Sequence, residues 1–305
     1  MMSEVAPAAD TRCGFIALIG APNAGKSTLI NTLVGAKVSI VSHKVQTTRM
    51  LVRGIAIEGA SQLVFIDTPG IFAPRRRLDR AMVEAAWGGA IDADIIAVLV
   101  DAAKGLDANA ERILDRLKDS RAPLVLVLNK IDRVKKERLL ELAQLCNARV
   151  PFSATFMISA LAGDGVADFK SHLARTVAPG PWHYPADEIS DAPMRVLAAE
   201  ITREKVFERL HEELPYQATV ETTSWQERPR SVRIEQTIFV EREGQKAIVL
   251  GARGSMIRQI SMTARLELAQ ILEKTVHLFL FVKVRENWGN DPERYRELGL
   301  TFPKD

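Results

Sequence analysis

Gly20-Ala-Pro-Asn-Ala-Gly-Lys-Ser27 is the stretch on which the fold of this 305-residue chain turns. It fits G-x-x-x-x-G-K-[S/T], with apolar Phe15–Ile19 before it and the helix-like run Thr28–Leu33 after it. A strand, a glycine loop and a helix in that order form an anion cradle. Successive backbone N–H groups and the helix N-terminus point at phosphate oxygens. Ala21, Pro22, Asn23 and Ala24 lie in the loop, Gly20 and Gly25 bracket it, and Thr28 opens the helix. Lys26 is the residue to reach β- and γ-phosphates, and the Ser27 hydroxyl is a Mg²⁺ ligand.

Working outward, Leu63–Asp67, Ile95–Asp101, Leu124–Asn129 and Thr155–Ser159 are further short apolar runs at the spacing of βα units. Several are almost wholly apolar, as in a parallel sheet covered on both faces. The first half therefore predicts an α/β, doubly wound, mostly parallel sheet. Composition agrees: 47% hydrophobic and 26% charged residues fit a globular chain and exclude disorder over most of it. No apolar run approaches the roughly 20 residues of a membrane span. Met1–Asp10 lacks the apolar core of a signal peptide. Cys13 and Cys146 stand far apart in sequence, which suggests neither a disulfide framework nor a zinc site. A cytoplasmic location is expected. The net charge of +3 makes no case for a nucleic-acid partner by itself, so any such case is local.

Three strand-ending segments say which nucleotide the cradle takes. In Asp67-Thr68-Pro69-Gly70, Asp67 is positioned to hold Mg²⁺ through water, and Gly70 can present its N–H to a γ-phosphate. In Asn129-Lys130-Ile131-Asp132, the Asp132 carboxylate can accept two hydrogen bonds from guanine N1–H and its 2-amino group. Adenine offers neither there, and an unpaired buried acceptor penalises the wrong base. Ser159-Ala160-Leu161 can turn the Ala160 N–H towards guanine O6. Gln46-Thr47-Thr48-Arg49 lies between the cradle and Asp67, where a threonine can complete the Mg²⁺ shell. Thr48 is favoured over Thr47, though the sequence does not decide between them.

In this order the segments resemble the P-loop GTPases of the translation-factor-related class. Ile71 follows Gly70 where Ras-type GTPases carry a water-positioning Gln, so slow intrinsic hydrolysis is expected. Asn23 resembles the subgroup in which a monovalent cation, usually K⁺, bridges the phosphates. The catalytic set implied is Lys26, Asn23, Thr48 and Gly70. Arg75-Arg76-Arg77 falls in the second switch region, either as a solvated basic loop or as a nucleotide-dependent contact.

The second half reads differently. Residues 178–193 hold four prolines and read as a linker. A helix is expected over Met194–Leu214, then strands over Gln217–Thr223 and Ser231–Glu241. A short helical segment, Gly251-Ala252-Arg253-Gly254, a helix over Ser255–Glu273 and a strand over His277–Arg285 follow. In this αββααβ order, the G-x-x-G turn matches a type II KH domain, whose loop clamps a single-stranded RNA backbone. Residues 244–285 carry seven basic and two acidic side chains, while residues 186–243 carry eight basic and thirteen acidic ones. One basic element beside an acidic one focuses an anion on the G-x-x-G side. Lys246, Gly251, Ala252, Arg253, Gly254, Ile257 and Arg258 are the expected RNA-binding residues.

The combination resembles the Era GTPases, one G domain followed by one C-terminal KH domain. Ser42–Arg49, Ala198–Lys205, Glu213–Tyr216, Val240–Lys246 and Val276–Lys283 carry the resemblance beyond the shared GTPase motifs. Ala252-Arg253 and Ser261 depart from it, since the family more often has two polar or basic residues and a glycine there. The resemblance implies hydrolysis of GTP to GDP with Mg²⁺, and binding near the 3′ end of small-subunit (16S) ribosomal RNA. It also implies a role in 30S subunit assembly, and a cytoplasmic protein that can associate peripherally with the inner membrane. A monomer is expected. The expected boundaries are a flexible 1–11, a G domain over 12–177, the linker 178–193 and the KH domain over 194–305. An alternative is an RNA-binding assembly factor whose G domain holds GTP as a structural or timing ligand with negligible turnover.

Overall fold

The computed structural model describes residues 10–44 and 47–303. The N-terminal stretch 1–9 and Gln46 of the switch segment, both among the expectations above, lie outside the described residues.

Two compact units make up the chain. The first runs to Ser39 and resumes over Thr48–Asp191; the second comprises residues 40–47 and those from Ala192 onward. In the first unit the elements are β1 (Arg12–Gly20), α1 (Lys26–Val34), β2 (Val52–Glu58), β3 (Ser61–Asp67), α2 (Arg77–Ile91), β4 (Ile95–Asp101), α3 (Ala108–Leu117), β5 (Leu124–Asn129), α4 (Lys136–Arg149), β6 (Ala154–Ile158) and α5 (Val166–Thr176). The strands form a sheet in the order β2-β3-β1-β4-β5-β6. All neighbours pair parallel except β2 with β3. Sequence periodicity misses β2. Its run Val-Arg-Gly-Ile-Ala-Ile-Glu holds an arginine and a glycine, and the hairpin partner β3 gives those residues their ladder.

The apolar strands are explained by burial on both faces. Ile16, Leu18, Leu63, Phe65, Ala97 and Val127 join one core with α1 and α5. Ala17, Ile19, Ile96, Val98, Leu126 and Leu128 join the other, with α2, α3 and α4. This double cover sets the carboxyl ends of β1, β3, β5 and β6 along one side of the sheet, where the segments at Gly20, Asp67, Asn129 and Ser159 begin, while Thr48 lies between α1 and β2.

Residues 178–191 are not a free tether. Cys13 donates its N–H to Ala178 O at 3.1 Å, and Trp182 Nε1 donates to Ala60 O at 3.0 Å. Gln62 Nε2 donates to Tyr184 O at 2.8 Å, and the Phe15 and His183 rings meet at 5.3 Å. Ile55 donates its N–H to Ile189 O along β2, where Arg53 and Asp191 form an ion pair at 2.7 Å. The prolines that forbid a helix leave an extended strap, and its backbone groups find partners at the N-terminal end of β1, at Gln62 of β3 and along the edge strand β2. The first unit therefore continues past the expected boundary at 177.

In the second unit α6 (Met194–Arg209), β7 (Thr219–Glu227), β8 (Ser231–Val240), α7 (Glu243–Leu250), α8 (Ser255–Leu272), β9 (Thr275–Val284) and α9 (Pro292–Glu297) follow one another. The sheet order is β7-β8-β9, antiparallel then parallel. Ile260, Ala264 and Leu268 of α8 pack with Ile201 and Val206 of α6 and with Ile234, Ile238, Val276 and Leu278 of the sheet. Residues 40–47, which fall inside the span 12–177 expected as the G domain, are grouped here. Val41 donates its N–H to Glu204 Oε1 at 2.7 Å, and Arg203 Nη2 donates to Thr47 O at 2.5 Å. The Lys44 ammonium donates to the carbonyls of Phe207 and Leu210. Burial alone lowers the Lys205 ammonium, but the carboxylates of Glu267 and Glu204 reverse this and hold it above its ordinary value. No helix among the described residues is long and apolar enough to cross a membrane.

Candidate functional site

The cradle is built by left-handed backbone. Asn23 has φ 63° and Gly25 φ 101°. A side chain at Gly25 would be strained by that φ, and its Cβ would also lie 2.1 Å from Asn129 Nδ2. The close approach has a purpose: Asn129 Nδ2 donates to Ala24 O at 2.8 Å, tying the end of β5 to the loop. Lys26 is buried, with its ammonium donating to Gly20 O at 3.1 Å and Ala21 O at 3.2 Å. Burial pushes its pKa down to about 8, against the pull of the Asp67 charge. The loop thus curls around its own lysine and offers that ammonium to an anion at the N-terminus of α1. Ile71 donates its N–H to Gly20 O at 3.1 Å, bringing Asp67-Thr68-Pro69-Gly70 alongside. Thr68 Oγ1 anchors that turn by donating to Leu18 O at 2.7 Å.

Oxygen atoms converge beside the lysine. Asp67 is fully buried; its Oδ2 accepts from Ser27 Oγ at 2.8 Å and from Ser39 Oγ at 2.7 Å. Thr48 Oγ1 lies 3.0 Å from Ser27 Oγ and donates to the same carboxylate oxygen at 3.4 Å. Thr47 does not join them, because its hydroxyl donates to Lys44 O at 2.9 Å. Asp67 Oδ1 is buried without a hydrogen-bond partner. Burial raises the pKa of this carboxyl, while Ser39, the Lys26 charge, Ser27 and Thr48 act against it. A buried acceptor left unpaired among hydroxyls is what a hard divalent cation with its waters completes, so these residues fit Mg²⁺. Ser39 escapes sequence reasoning. It belongs to no motif, and only the fold carries it to Asp67.

The segments expected to recognise the base meet at the ends of β5 and β6. Asn129 Oδ1 accepts from Lys130 N at 2.8 Å and from Ala160 N at 2.9 Å. Lys130 takes φ 67°, and its ammonium bridges Asn23 O and Asp101 Oδ2, each at 2.7 Å. Ser159 Oγ donates to Asp132 Oδ1 at 2.7 Å, which fixes the carboxylate plane and leaves it partly exposed. The Ala160 N–H, expected to meet guanine O6, is here engaged by Asn129 Oδ1, so any contact with O6 must share it. Ile131 packs against the core beneath, and Leu161 is exposed. Asp79 accepts the N–H groups of Arg75 at 3.1 Å and Arg76 at 3.0 Å, capping α2, so part of the basic switch segment serves the helix start.

In the second unit the G-x-x-G turn joins α7 to α8. Gly251 has φ 70°, and a Cβ there would meet Met256 Cβ at 2.7 Å. Arg253, at φ 52°, is exposed at the tip. Beside the turn, Ile257, Arg258, Ser261, Met262, Arg265, Leu278 and Leu280 line an open groove of about 340 Å³. Ile257 and Arg258 are thus brought to one groove. Lys246 stands on α7 and pairs with Glu243 at 3.5 Å. Sequence reasoning missed Arg265, though its place seven residues after Arg258 is a two-turn helical signal.

A family model described as a 50S ribosome-binding GTPase matches residues 15–130, and a KH-domain model matches 213–289. GTPase Era of Brucella suis biovar 1 (strain 1330) is 67% identical over 297 residues, 97% of this chain and 96% of that one. The chain belongs to the Era GTPases. It is a GTPase with a C-terminal KH domain. GTPase Era of Mesorhizobium japonicum is 64% identical over 301 residues, 98% of this chain and 97% of the relative. Among solved structures, Era bound to MgGDPNP and nucleotides 1506–1542 of 16S ribosomal RNA matches with TM-score 0.90. It is 36% identical and covers 95% of this chain and 99% of that one. Aquifex aeolicus Era with GDP and AlF₄⁻ matches equally well.

Proposed function

We propose that this Era GTPase couples its nucleotide state to capture of the 3′ end of 16S ribosomal RNA, and so assists small-subunit assembly in the cytoplasm. The observation that carries this reading is the basic, apolar-floored groove beside Gly251–Gly254, in a chain so similar to the Era protein that holds 16S nucleotides 1506–1542. The G-x-x-G backbone would approach phosphates closely, Arg253, Arg258 and Lys246 would supply charge, and Ile257 would face the bases.

In the G domain, Lys26 and the backbone N–H groups of the cradle would hold the β- and γ-phosphates. Ser27 and Thr48 would bind Mg²⁺ directly and Asp67 through water, the cation supplying charge neutralisation between β- and γ-oxygens. Gly70 would give its N–H to the γ-phosphate. Asn23 would admit K⁺ at the phosphates, where the cation would take the role of an arginine finger. Asp132 would read the guanine edge.

Thr48→Ala is expected to raise the Mg²⁺ concentration for half-maximal phosphate release about tenfold, the order of one lost charge-assisted contact. Thr47→Ala should leave it unchanged; equal effects from the two would sink the assignment. The whole reading is tested by phosphate release in K⁺ and Na⁺ buffers, with and without the 1506–1542 RNA fragment. Wild type should respond to both, and Gly251→Asp/Gly254→Asp should lose the RNA response alone. Turnover indifferent to RNA, with RNA binding intact, would separate the two domains' functions.

A further inference from the structure

Phe279 and Phe281 are the only exposed Phe, Tyr or Trp rings among the described residues, at 41% and 49%. Both stand on β9, the edge strand of the three-stranded sheet. Side chains alternate along a strand. Val276, Leu278, Leu280, Val282 and Val284 of β9 pack into the core. His277, Phe279, Phe281 and Lys283 therefore share the opposite face of the sheet. The register sets Arg233 opposite His277 and Phe239 opposite Lys283. The Arg233 guanidinium lies over the Phe279 ring at 4.3 Å, and that of Arg285 over the Phe239 ring at 4.2 Å. Arg233 also pairs with Glu235 at 2.8 Å, and Arg285 approaches Glu221 at 3.8 Å. Lys283 is exposed and His277 likewise.

Two exposed phenylalanines two residues apart on one strand cost hydration and add nothing to this unit's core. Rings at that spacing stand about 6.6 Å apart, twice the ~3.4 Å rise of stacked bases. Such a pair receives two bases of an extended, unstacked strand, one on each ring, rather than a stacked pair. Guanidinium and ammonium groups beside aromatic faces are the chemistry of sequence-tolerant single-strand platforms. Continuity selects the occupant. Leu278 and Leu280 floor the G-x-x-G groove, while the residues alternating with them carry the rings on the other side of the same edge strand. A chain leaving the groove across this edge meets the rings next.

We infer that the outer face of the edge strand β9 is a second single-strand platform, on which Phe279 and Phe281 stack bases of RNA running on from the G-x-x-G groove, with Lys283 facing its phosphates and the Arg233 guanidinium beside the Phe279 ring. This rests on the RNA-binding reading above. A groove of this type reads about four nucleotides. The platform extends the footprint and adds affinity with little sequence preference.

The test uses the full chain and single-stranded pieces of the 16S 1506–1542 fragment, of about four and about ten nucleotides, in fluorescence anisotropy. Phe279→Ala/Phe281→Ala should weaken the longer RNA by at least about tenfold, the order expected from lost base stacking, and leave the shorter within about twofold. Lys283→Glu should weaken the longer RNA and flatten its salt dependence. Ultraviolet irradiation of the wild-type complex should cross-link bases to the β9 peptide, a readout that does not depend on a variant folding. Longer RNA bound equally by wild type and double variant, with cross-links confined to the G-x-x-G side, overturns the platform and leaves the groove reading standing. Loss of association with 30S subunits while both RNAs bind normally would mark the face as a protein contact and also overturns it. Failure of wild type to bind either RNA would remove the groove reading, and the platform with it.

Discussion

Asp132→Asn is expected to change which nucleotide this protein takes. The carboxylate can accept from guanine N1–H and the 2-amino group together, two charge-assisted bonds on one planar group. Each hydrogen bond to a charged group is worth about 1.5–3 kcal/mol, so GTP affinity should fall about 100-fold or more. The amide offers one donor and one acceptor and matches the xanthine edge, so xanthosine triphosphate should gain. The Ser159 hydroxyl sharpens the effect, because its 2.7 Å bond to Asp132 Oδ1 holds the carboxylate in one plane. Competition of GTP and xanthosine triphosphate against a fluorescent nucleotide measures the switch. A variant that keeps its preference for GTP would remove Asp132 from base recognition.

Lys26→Ala is expected to abolish phosphate release under conditions in which wild type turns over, and to weaken GTP by about 100-fold or more, from two lost contacts to charged phosphates. Fold stability should suffer far less. The ammonium is buried at a cost, shown by a pKa pushed down to about 8, and among the described residues its hydrogen bonds go to the loop carbonyls of Gly20 and Ala21. A residue held this way awaits an anion. Isothermal titration with GTP and a thermal melt on the same sample separate the two effects. Equal losses of affinity and of melting temperature would show that Lys26 supports the loop and not the ligand.

The nucleotide chemistry is legible in the chain because each segment is local. A cradle needs its glycines, lysine and serine within eight residues, and Asp67 and Asn129 each end an apolar strand that announces itself, with Asp132 three residues on. The KH order is legible for the same reason. Its helix at Ser255–Leu272 carries a period near 3.6, and its strand at Thr275–Val284 is a β-branched and aromatic run of strand length. Strand β2 is not legible, since an arginine and a glycine interrupt its pattern and its stability comes from pairing with β3.

What the sequence determined by itself was therefore the inventory: a P-loop, an Asn129–Asp132 turn, a G-x-x-G turn and the alternation of elements carrying them. Those depend on spacing within one segment, which the covalent chain dictates. Only the tertiary structure decided which distant groups meet. Thr48 reaches Ser27 and Asp67 while its neighbour Thr47 turns to Lys44, and no local rule separates two adjacent threonines. Ser39 reaches Asp67 from outside every motif. The proline-rich stretch 178–191 becomes a strap because the N-terminal end of β1, beyond its pairing with β4, and the outer edge of β2 offer free backbone donors and acceptors. Phe279 and Phe281 look like core residues in an alternating strand until the fold shows which face α6 and α8 cover. Contacts across a hundred residues are set by packing and by the demand that every buried polar group find a partner, and neither is written in any single stretch of chain.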